Sequence, residues 1–189
     1  MVRKSALLSY QFNASCRTDY TKGVILLKLD VGCGYRAKGD VNVDMKMTPF
    51  VDVICDAEAL PFKDKVFDDA VSHHVIEHCT NPAKMLQEIC RVSHRAEVYT
   101  PNAHFPGWIL HYIAGQGCFV NEPEHVYTWT PYYISNLLNR LGIRHKISGA
   151  VNTARIWTIG RFAFWLLCIV ASWIGLWRDI KVEVICKGT

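Results

Sequence analysis

The feature that most constrains the fold of this chain is an apolar run that ends in glycines, GVILLKLDVGCG at positions 23–34. The run is rich in valine, isoleucine and leucine, as is typical of a strand buried on both faces. Gly32 and Gly34 then allow the chain to turn sharply. Because strands buried on both faces belong to parallel sheets covered by helices, the run predicts an α/β fold.

The rest of the chain alternates predicted strands with predicted helices. The further strands are predicted at 40–45, 51–62, 66–72, 95–102, 144–150 and 179–188. Helices are predicted over 81–93, with Pro82 in the first turn, and over 130–143, with Gly142 as the C-cap. This alternation predicts a mostly parallel sheet in a single domain, 1–189, preceded within it by an N-terminal extension at 1–22.

Composition excludes several classes of protein. Half of the residues are hydrophobic and a fifth are charged, which is typical of a globular chain. A formal net charge of +4 is too small to indicate nucleic-acid binding. The eight cysteines form no C-x-x-C or C-x-x-x-x-C pair, which disfavours zinc ribbons and fingers. The N-terminus lacks the apolar core of a cleaved signal peptide, so we expect reduced thiols in a cytoplasmic protein.

The stretch SHHVIEH at 72–78 has two interpretations. His74, Glu77 and His78 spell H-x-x-E-H, the spacing of one group of zinc peptidases. Such a site needs both histidines a turn apart on a helix and a third ligand from elsewhere in the chain. Here the preceding sequence is strand-like, and a proline shortly afterwards marks a new helix. We therefore expect a loop braced by Glu77 and His78, and no metal site.

Glycines and acidic residues recur at the predicted strand ends. Successive strands end in Asp30, Gly32, Cys33 and Gly34, then in Asp44, then in Asp56 and Ala57. In an open parallel sheet, ligands bind at the carboxyl ends of the strands. A carboxylate at the second strand end can accept hydrogen bonds from both hydroxyls of a ribose. The series therefore predicts a nucleoside site.

Four motifs in order carry a resemblance to a known family: GCG at 32–34, NVD at 42–44, DAEALPF at 56–62 and SHHVIEH at 72–78. Over about residues 26–145 the chain resembles the class I S-adenosylmethionine-dependent methyltransferases, specifically their compact type 11-like subgroup with a shortened first helix. The resemblance implies a three-layer Rossmann-like fold with a seven-stranded sheet in the order 3-2-1-4-5-7-6, strand 7 being antiparallel. It also implies S-adenosylmethionine as the cofactor.

The resemblance assigns cofactor contacts by region. It implies that the glycine loop holds the methionine part, the second strand end the ribose, the third the adenine, and the end of strand 4 the methionine amino group. In that order the implied residues are Asp30, Gly32, Cys33 and Gly34; Asp44 and Met45; Asp56 and Ala57; Ser72 and His73.

Three departures from the family pattern set further expectations. Arg36 stands where most members have a third glycine. The short step from Gly34 to Asp44 leaves room for a first helix of one turn at most. The LKPGG turn usual before strand 5 is replaced by VSHRA at 92–96, which leaves the geometry of that connection open.

A methyl acceptor that must lose a proton needs a general base. The candidates near predicted strand ends are His73, His74, His104, His111 and His125. His74 and His104 are the leading candidates for catalytic residues, because they follow strands 4 and 5, whose ends face the acceptor in the resembled family. The insertion 102–129 is expected to wall the acceptor pocket.

The segment FAFWLLCIVASWIGLW at 162–177 has no charged residue and lies in a hydrophobic helical insertion expected at 154–178, between strands 6 and 7. As a helix it reaches about 24 Å, short of a ~30 Å hydrocarbon core. Its composition leaves three roles open: attachment to a membrane surface, a homodimer interface, and internal core. We expect a cytoplasmic protein, with peripheral attachment to the cytoplasmic membrane face as an alternative.

These observations predict a methyltransferase that acts on an oxygen or nitrogen of a small, glycan or lipid-linked acceptor, and not on nucleic acid. One alternative is a non-catalytic member of the fold that serves as a scaffold and docks a partner through its hydrophobic helix. A nicotinamide-dependent oxidoreductase is disfavoured, because the glycines lack the dinucleotide spacing.

Overall fold

The computed structural model describes residues 17–19, 24–105, 108, 123–150 and 178–186, which contain nine strands and two helices. In chain order these are β1 (Arg17–Asp19), β2 (Val24–Leu26), β3 (Lys28–Val31), β4 (Val41–Asp44), β5 (Val53–Ile54), β6 (Phe67–His73), α1 (Pro82–Val92), β7 (Ser93–Pro101), α2 (Pro131–Arg140), β8 (Arg144–Ala150) and β9 (Asp179–Ile185). Strands β1 and β2 form a separate antiparallel hairpin.

The other seven strands form one sheet in the order β5-β4-β3-β6-β7-β9-β8. Neighbouring strands are parallel except at β9, which is antiparallel to both β7 and β8. Counted from β3 as the first strand, the order is 3-2-1-4-5-7-6 with strand 7 antiparallel. The predicted strand order and the predicted direction of the last strand are both confirmed.

The core surrounds the central strands. Leu29, Asp30 and Val31 follow one another in β3, and each is at most 1% exposed, as expected of a strand covered on both faces. Helix α1 packs an apolar face that includes Met85 and Ile89 into the same core. Each such side chain stabilises the fold by about 1.5–3 kcal/mol when it leaves water.

Both helices have the ends that their sequences predict. The side chain of Asn81 caps α1 by accepting a hydrogen bond from the amide of Lys84, and Pro82 opens the helix. The side chain of Thr130 caps α2 in the same way. Gly142, predicted as the C-cap, lies one residue beyond the observed cap at φ +67°, where glycine is strongly favoured.

The predicted first strand is interrupted at Leu27. Its amide donates to the carboxylate of Asp68 at 2.9 Å, and its carbonyl accepts from the amide of Asp68 at 2.9 Å. Because these bonds replace strand pairing at Leu27, the preceding residues pair with β1 instead of continuing the sheet. The third predicted strand, a short one within 51–62 that ends at Asp56, comprises Val53–Ile54.

The structure settles two of the departures from the family pattern. Residues 32–40, all of which it describes, contain no helix, so the shortened connection is confirmed. Helix α1 passes into β7 without a turn, since Val92 is the last helical residue and Ser93 the first of the strand. The side-chain amine of Lys65 donates to the carbonyls of Cys90, Ser93 and Cys186 at 2.7, 2.9 and 3.0 Å and holds this junction.

Candidate functional site

The strand register places the carboxyl ends of β4, β3, β6 and β7 side by side. Val31 is paired with Val43 on one side and with Ser72 on the other, and Ser72 is paired with Val98. The residues that follow these positions therefore share one rim of the sheet, which we call the ligand rim. The glycine loop, Asp44, Ser72 and His73 all lie on it, and Asp56 follows β5 at the same edge.

The glycine loop is shaped by two left-handed residues. Gly32 has φ +75° and Gly34 has φ +54°, a region that costs other residues about 1–2 kcal/mol. The amides of Gly32 and Cys33 donate to the carbonyl of Val43 at 2.8 and 3.1 Å, which fixes the loop to β4. A Cβ on Gly32 would collide with the side chain of Val75, whereas a Cβ on Gly34 would meet open space. Gly34 is therefore the position where a ligand can approach the backbone closely.

Asp30 lies beneath this loop and is 1% exposed. One of its oxygens, Oδ2, accepts a hydrogen bond from the amide of Lys38 at 2.8 Å. Burial raises the pKa of Asp30, while the amide and the charge of Lys38 act in the opposite direction. Asp30 is predicted to contact the cofactor, and at least one of its oxygens holds the loop that follows β3.

Asp44 is held in place by two backbone amides. Its Oδ2 accepts from Gly34 at 2.9 Å and its Oδ1 accepts from Lys46 at 2.9 Å. The carboxylate is thereby oriented at the rim, and each oxygen keeps a second lone pair for another donor. Met45, predicted beside it, is 69% exposed and presents an apolar side chain next to the carboxylate.

Thr48 completes the glycine loop and was missed by the sequence analysis. It is 9% exposed, and its hydroxyl donates to the carbonyl of Gly34 at 2.6 Å. Nothing in the sequence near Thr48 indicates a contact with a residue fourteen positions earlier.

Cys33, also in the loop, is buried, and burial raises the pKa of its thiol to about 11. The thiol is therefore protonated at neutral pH, and a protonated thiol is a poor nucleophile.

The turn after β5 is tied to the start of α1. Asp56 is exposed and accepts from the amide of Glu58 at 2.8 Å, while Ala57 is buried. The carboxylate of Glu58 accepts from the amide of Asn81 at 2.8 Å and from the hydroxyl of Thr80 at 2.9 Å. The Asn81 amide is the main cause that lowers the pKa of Glu58. The turn predicted to bind adenine is thus anchored to α1.

Ser72 and His73 end β6 at the centre of the rim. Ser72 is 1% exposed, and its hydroxyl has no hydrogen-bond partner within the described residues. Buried polar atoms without a partner are uncommon and indicate a missing ligand or water. The ring of His73 stacks on Tyr99 with centroids 4.1 Å apart. Burial, with help from the positive charge of Lys38, lowers the pKa of His73 to about 4, so the ring is neutral at pH 7.

The two predicted catalytic histidines have different surroundings. His74 has φ +55°, its amide donates to the carbonyl of Tyr99 at 2.9 Å, and its Nδ1 lies 3.3 Å from Oε1 of Glu77. A carboxylate beside the ring orients it, as it would orient a general base. His104 follows β7, is exposed, and donates its amide to the side chain of Asn102 at 3.0 Å.

The 72–78 stretch ends in a turn and not in a helix. The predicted loop is confirmed, and the helical zinc-peptidase arrangement is not formed. Glu77 is 1% exposed; its Oε2 accepts from the hydroxyl of Thr100 at 3.0 Å, and its carbonyl accepts from the amides of Val126 and Tyr127. These bonds bring His125 next to Glu77 and His78, which the sequence could not show because the two segments lie far apart in the chain.

A family model described as a methyltransferase domain matches residues 36–96. The match covers β4, β5, β6 and α1 and so includes Asp44, Asp56 and Ser72, whereas β3 and the glycine loop precede it. Residues 36–96 therefore match a methyltransferase domain, and the sheet that contains them has the class I strand order. None of the curated proteins compared with the chain matches it.

Several solved structures share the fold of this chain. A Haloferax volcanii protein in complex with the Trm112 methyltransferase activator has a TM-score of 0.56 and 12% identity, over 86% of this chain and 82% of that one. A SAM-dependent methyltransferase from Archaeoglobus fulgidus has a TM-score of 0.51 and 17% identity, over 83% and 84%. A Thermotoga maritima protein described as a possible histamine N-methyltransferase has a TM-score of 0.57 and 14% identity, over 85% and 82%.

The cofactor of a class I methyltransferase domain is S-adenosylmethionine, and the rim residues fit it. Gly34 leaves open space where a Cβ would otherwise stand, and Asp44 presents oriented oxygens beside it. The buried hydroxyl of Ser72 offers an unused donor and acceptor at the centre of the rim. Binding of the methionine part, the ribose and the methionine amino group by these residues stays a prediction.

Within the described ranges, no helix has the length and hydrophobicity needed to cross a bilayer. The apolar segment 162–177 lies outside those ranges, as do residues 1–16 of the predicted extension and most of the predicted insertion at 102–129.

Proposed function

We propose that this domain transfers a methyl group from S-adenosylmethionine to an oxygen or nitrogen of a small, glycan or lipid-linked acceptor at a membrane surface. The observation that supports it best is the alignment of the glycine turn, Asp44 and Ser72 on one rim of the sheet. That alignment gathers a close-approach backbone position, an oriented carboxylate and an unpaired buried hydroxyl where one nucleoside cofactor can contact all three.

In this proposal each part of the cofactor has its own residues. The loop of Asp30, Gly32, Cys33 and Gly34 holds the methionine part, and Ser72 and His73 bind its amino group. Asp44 takes both ribose hydroxyls, with Met45 packed beside the sugar, while Asp56 and Ala57 bind the adenine. Asp30 mainly supports the loop from beneath, since one of its oxygens accepts a hydrogen bond from the Lys38 amide.

Methyl transfer is an in-line displacement from a sulfonium, and orientation of the two reactants can supply about 7–11 kcal/mol of its barrier reduction. A general base adds about 10²–10⁴-fold when the acceptor must lose a proton. His74 is supported as that base by the carboxylate of Glu77 beside its ring. His104 is supported only by its position after β7, which suits a role in binding the acceptor.

The membrane part of the proposal rests on where the apolar segment leaves the sheet. Ala150 at the end of β8 is paired with Asp179 at the start of β9, so the connection departs from and returns to one point. Because β8 is parallel to β7, that point is on the ligand rim. Attachment through 162–177 would therefore present the cofactor site to the membrane, which favours a lipid-linked acceptor.

The cofactor assignment is tested by calorimetric titration with S-adenosylhomocysteine and, separately, with NAD. We expect the first to bind and NAD not to bind. Asp44→Ala should weaken S-adenosylhomocysteine about 30-fold or more, since hydrogen bonds to a charged group contribute about 1.5–3 kcal/mol each. Asp69→Ala is the matched control, because that strand aspartate is ion-paired with Arg95 away from the rim. Binding of neither compound would favour the scaffold alternative.

The acceptor class is tested with radiolabelled S-adenosylmethionine and a cell extract. We expect the label to partition into the lipid phase, and to be lost from it in His74→Gln while S-adenosylhomocysteine still binds. Label that stays entirely in the aqueous phase would contradict a lipid-linked acceptor.

Membrane attachment is tested by flotation with vesicles of phosphatidylcholine and phosphatidylglycerol. Wild type should float with the vesicles, and the double variant Trp165→Glu/Trp173→Glu should remain at the bottom. Equal behaviour of the two proteins would exclude attachment through 162–177.

A further inference from the structure

A second candidate site lies behind the rim, where Glu77, His78 and His125 come together. One potential ligand atom from each residue lies within 4.8 Å of the other two. The rings of His78 and His125 are 4.7 Å apart between centroids. We propose that these three side chains bind a divalent transition-metal ion, with zinc as the best match.

The donor set selects the kind of metal. Two imidazoles with one carboxylate suit zinc and its neighbours in the first transition row, whereas magnesium and calcium prefer oxygen ligands. Around a tetrahedral zinc ion with bonds of about 2.0–2.2 Å, ligand atoms lie about 3.4 Å apart. The ligand atoms lie within 4.8 Å of one another, so zinc binding requires the two half-buried histidines to move closer to Glu77.

The carboxylate is already oriented for this role. Oε2 of Glu77 accepts a hydrogen bond from Thr100 at 3.0 Å, which fixes the plane of the group. Oε1 accepts no hydrogen bond within the described part of the chain, although Nδ1 of His74 lies 3.3 Å from it. Glu77 is 1% exposed, so bulk water does not supply this oxygen with a hydrogen-bond donor.

His78 is oriented by a backbone group. Its Nδ1 lies 3.0 Å from the carbonyl of Glu124, an acceptor that makes Nδ1 the donor nitrogen. The proton is then on Nδ1, and Nε2 keeps the lone pair that a metal requires. An imidazole that donates one nitrogen to a carbonyl and offers the other to a metal is the usual arrangement at protein metal sites.

The third ligand is delivered by backbone pairing between distant segments. The carbonyl of Glu77 accepts from the amides of Val126 and Tyr127 at 2.8 and 3.1 Å, which holds the segment containing His125 against the loop after β6. A cavity of about 10 Å³ adjoins Glu77 and His125. That volume is close to the space of one water molecule and so suits a single ion with little else.

The test is direct zinc binding to the tag-free protein after removal of metal by a chelator. Competition against a chromophoric chelator should give one zinc per chain, with magnesium failing to compete. His125→Gln should weaken zinc at least 10-fold. His145→Gln is the matched control, because that histidine hydrogen-bonds Ser135 and the Ile143 carbonyl far from the cluster and should leave zinc binding unchanged.

A second readout separates a lost ligand from a damaged fold. Cobalt(II) substituted into wild type should give the visible absorption of a site with nitrogen and oxygen ligands, and His125→Gln should lose it while still binding S-adenosylhomocysteine. Absence of stoichiometric zinc binding, or equal zinc affinity in wild type and His125→Gln, would overturn the site. Because the ligands are not cofactor residues, that result would leave S-adenosylhomocysteine binding intact and the proposed function standing.

Discussion

The residues that flank β6 share a left-handed backbone conformation, but the polar groups around them differ in how fully they are hydrogen-bonded. Lys65, just before the strand, has φ +56°, and His74, just after it, has φ +55°. Both conformations cost a residue with a side chain about 1–2 kcal/mol. At the Lys65 end the side-chain amine donates to three carbonyls and joins the end of α1 to β7 and to Cys186.

At the His74 end, buried polar groups are less fully hydrogen-bonded. Ser72 Oγ is buried there without a hydrogen-bond partner within the described residues, and Glu77 Oε1 is buried with Nδ1 of His74 3.3 Å away and no hydrogen bond to it. At the opposite edge Arg91, by contrast, donates to the carbonyls of Phe62 and Leu60 and to two carboxylates. One edge of the sheet therefore satisfies its polar groups internally and stabilises the fold. The other leaves them available to a ligand, at a cost that the rest of the molecule offsets.

The largest expected effect comes from the two loop glycines at the ligand end. Gly32→Ala should lower the free energy of unfolding by about 3 kcal/mol, since left-handed strain adds to the collision with Val75. Gly34→Ala carries only the strain and should cost about 1 kcal/mol. It should nevertheless weaken S-adenosylhomocysteine, because its Cβ enters the open space. Denaturant titration and calorimetry measure both effects, and equal destabilisation by the two changes would contradict the assigned crowding.

The next largest effect is expected at Lys65, where the polar groups are fully hydrogen-bonded. Lys65→Met removes the amine from three carbonyls and should cost about 2–3 kcal/mol in denaturant unfolding. Affinity for S-adenosylhomocysteine should stay within twofold, because the rim is at the other end of the strand. Lys63→Met, at an exposed lysine two residues earlier, is the control and should change stability little. A comparable loss in both variants would remove the distinction between the two ends.

A pH effect of about 1–2 kcal/mol is expected from His73, less than its full pKa change would give because the ring is only half-buried and is screened by water. Its pKa is about 4 in the folded protein and 6.5 in the reference state, mainly because of burial. Between pH 6.5 and 4 the unfolded chain therefore binds more protons than the folded protein. The contribution of His73 to the free energy of unfolding is complete above pH 6.5 and is lost as the pH falls towards 4. His73→Phe keeps a ring to stack on Tyr99 but cannot titrate. The stability difference between variant and wild type should change across this window, and a constant difference would refute the assignment.

The smallest expected effect is that of Thr48. Thr48→Val removes the hydroxyl that donates to the Gly34 carbonyl and should cost about 1 kcal/mol. Affinity for S-adenosylhomocysteine should fall a few-fold, since the carbonyl no longer fixes the loop. Thr48→Ser should restore both quantities, and failure of that rescue would assign the effect to packing.

Local patterns predicted most of the fold and the ligand rim. Glycines and acidic residues at strand ends indicate a rim because parallel strands place their carboxyl ends on one edge, and Asp44, Ser72 and His73 are found there. The contacts of Thr48 with Gly34 and of His125 with Glu77 were not predicted. They join segments that approach only after the sheet has formed, so no local pattern contains them. Within the predicted extension at 1–22, Arg17–Asp19 forms a strand, and the bounds of the extension stay a prediction.

By itself, the sequence determined the alternation of strands and helices, the tight turn after β3 and the residue types at the strand ends, since propensity and hydrophobic period act over a few residues. Tertiary structure alone decided which polar groups were satisfied and which were left for a ligand. Lys65 finds a carbonyl of Cys186, 121 positions away, and the Glu77 carbonyl holds Val126. Such pairings depend on how the segments pack, because a hydrogen bond requires distance and direction that only the folded sheet sets.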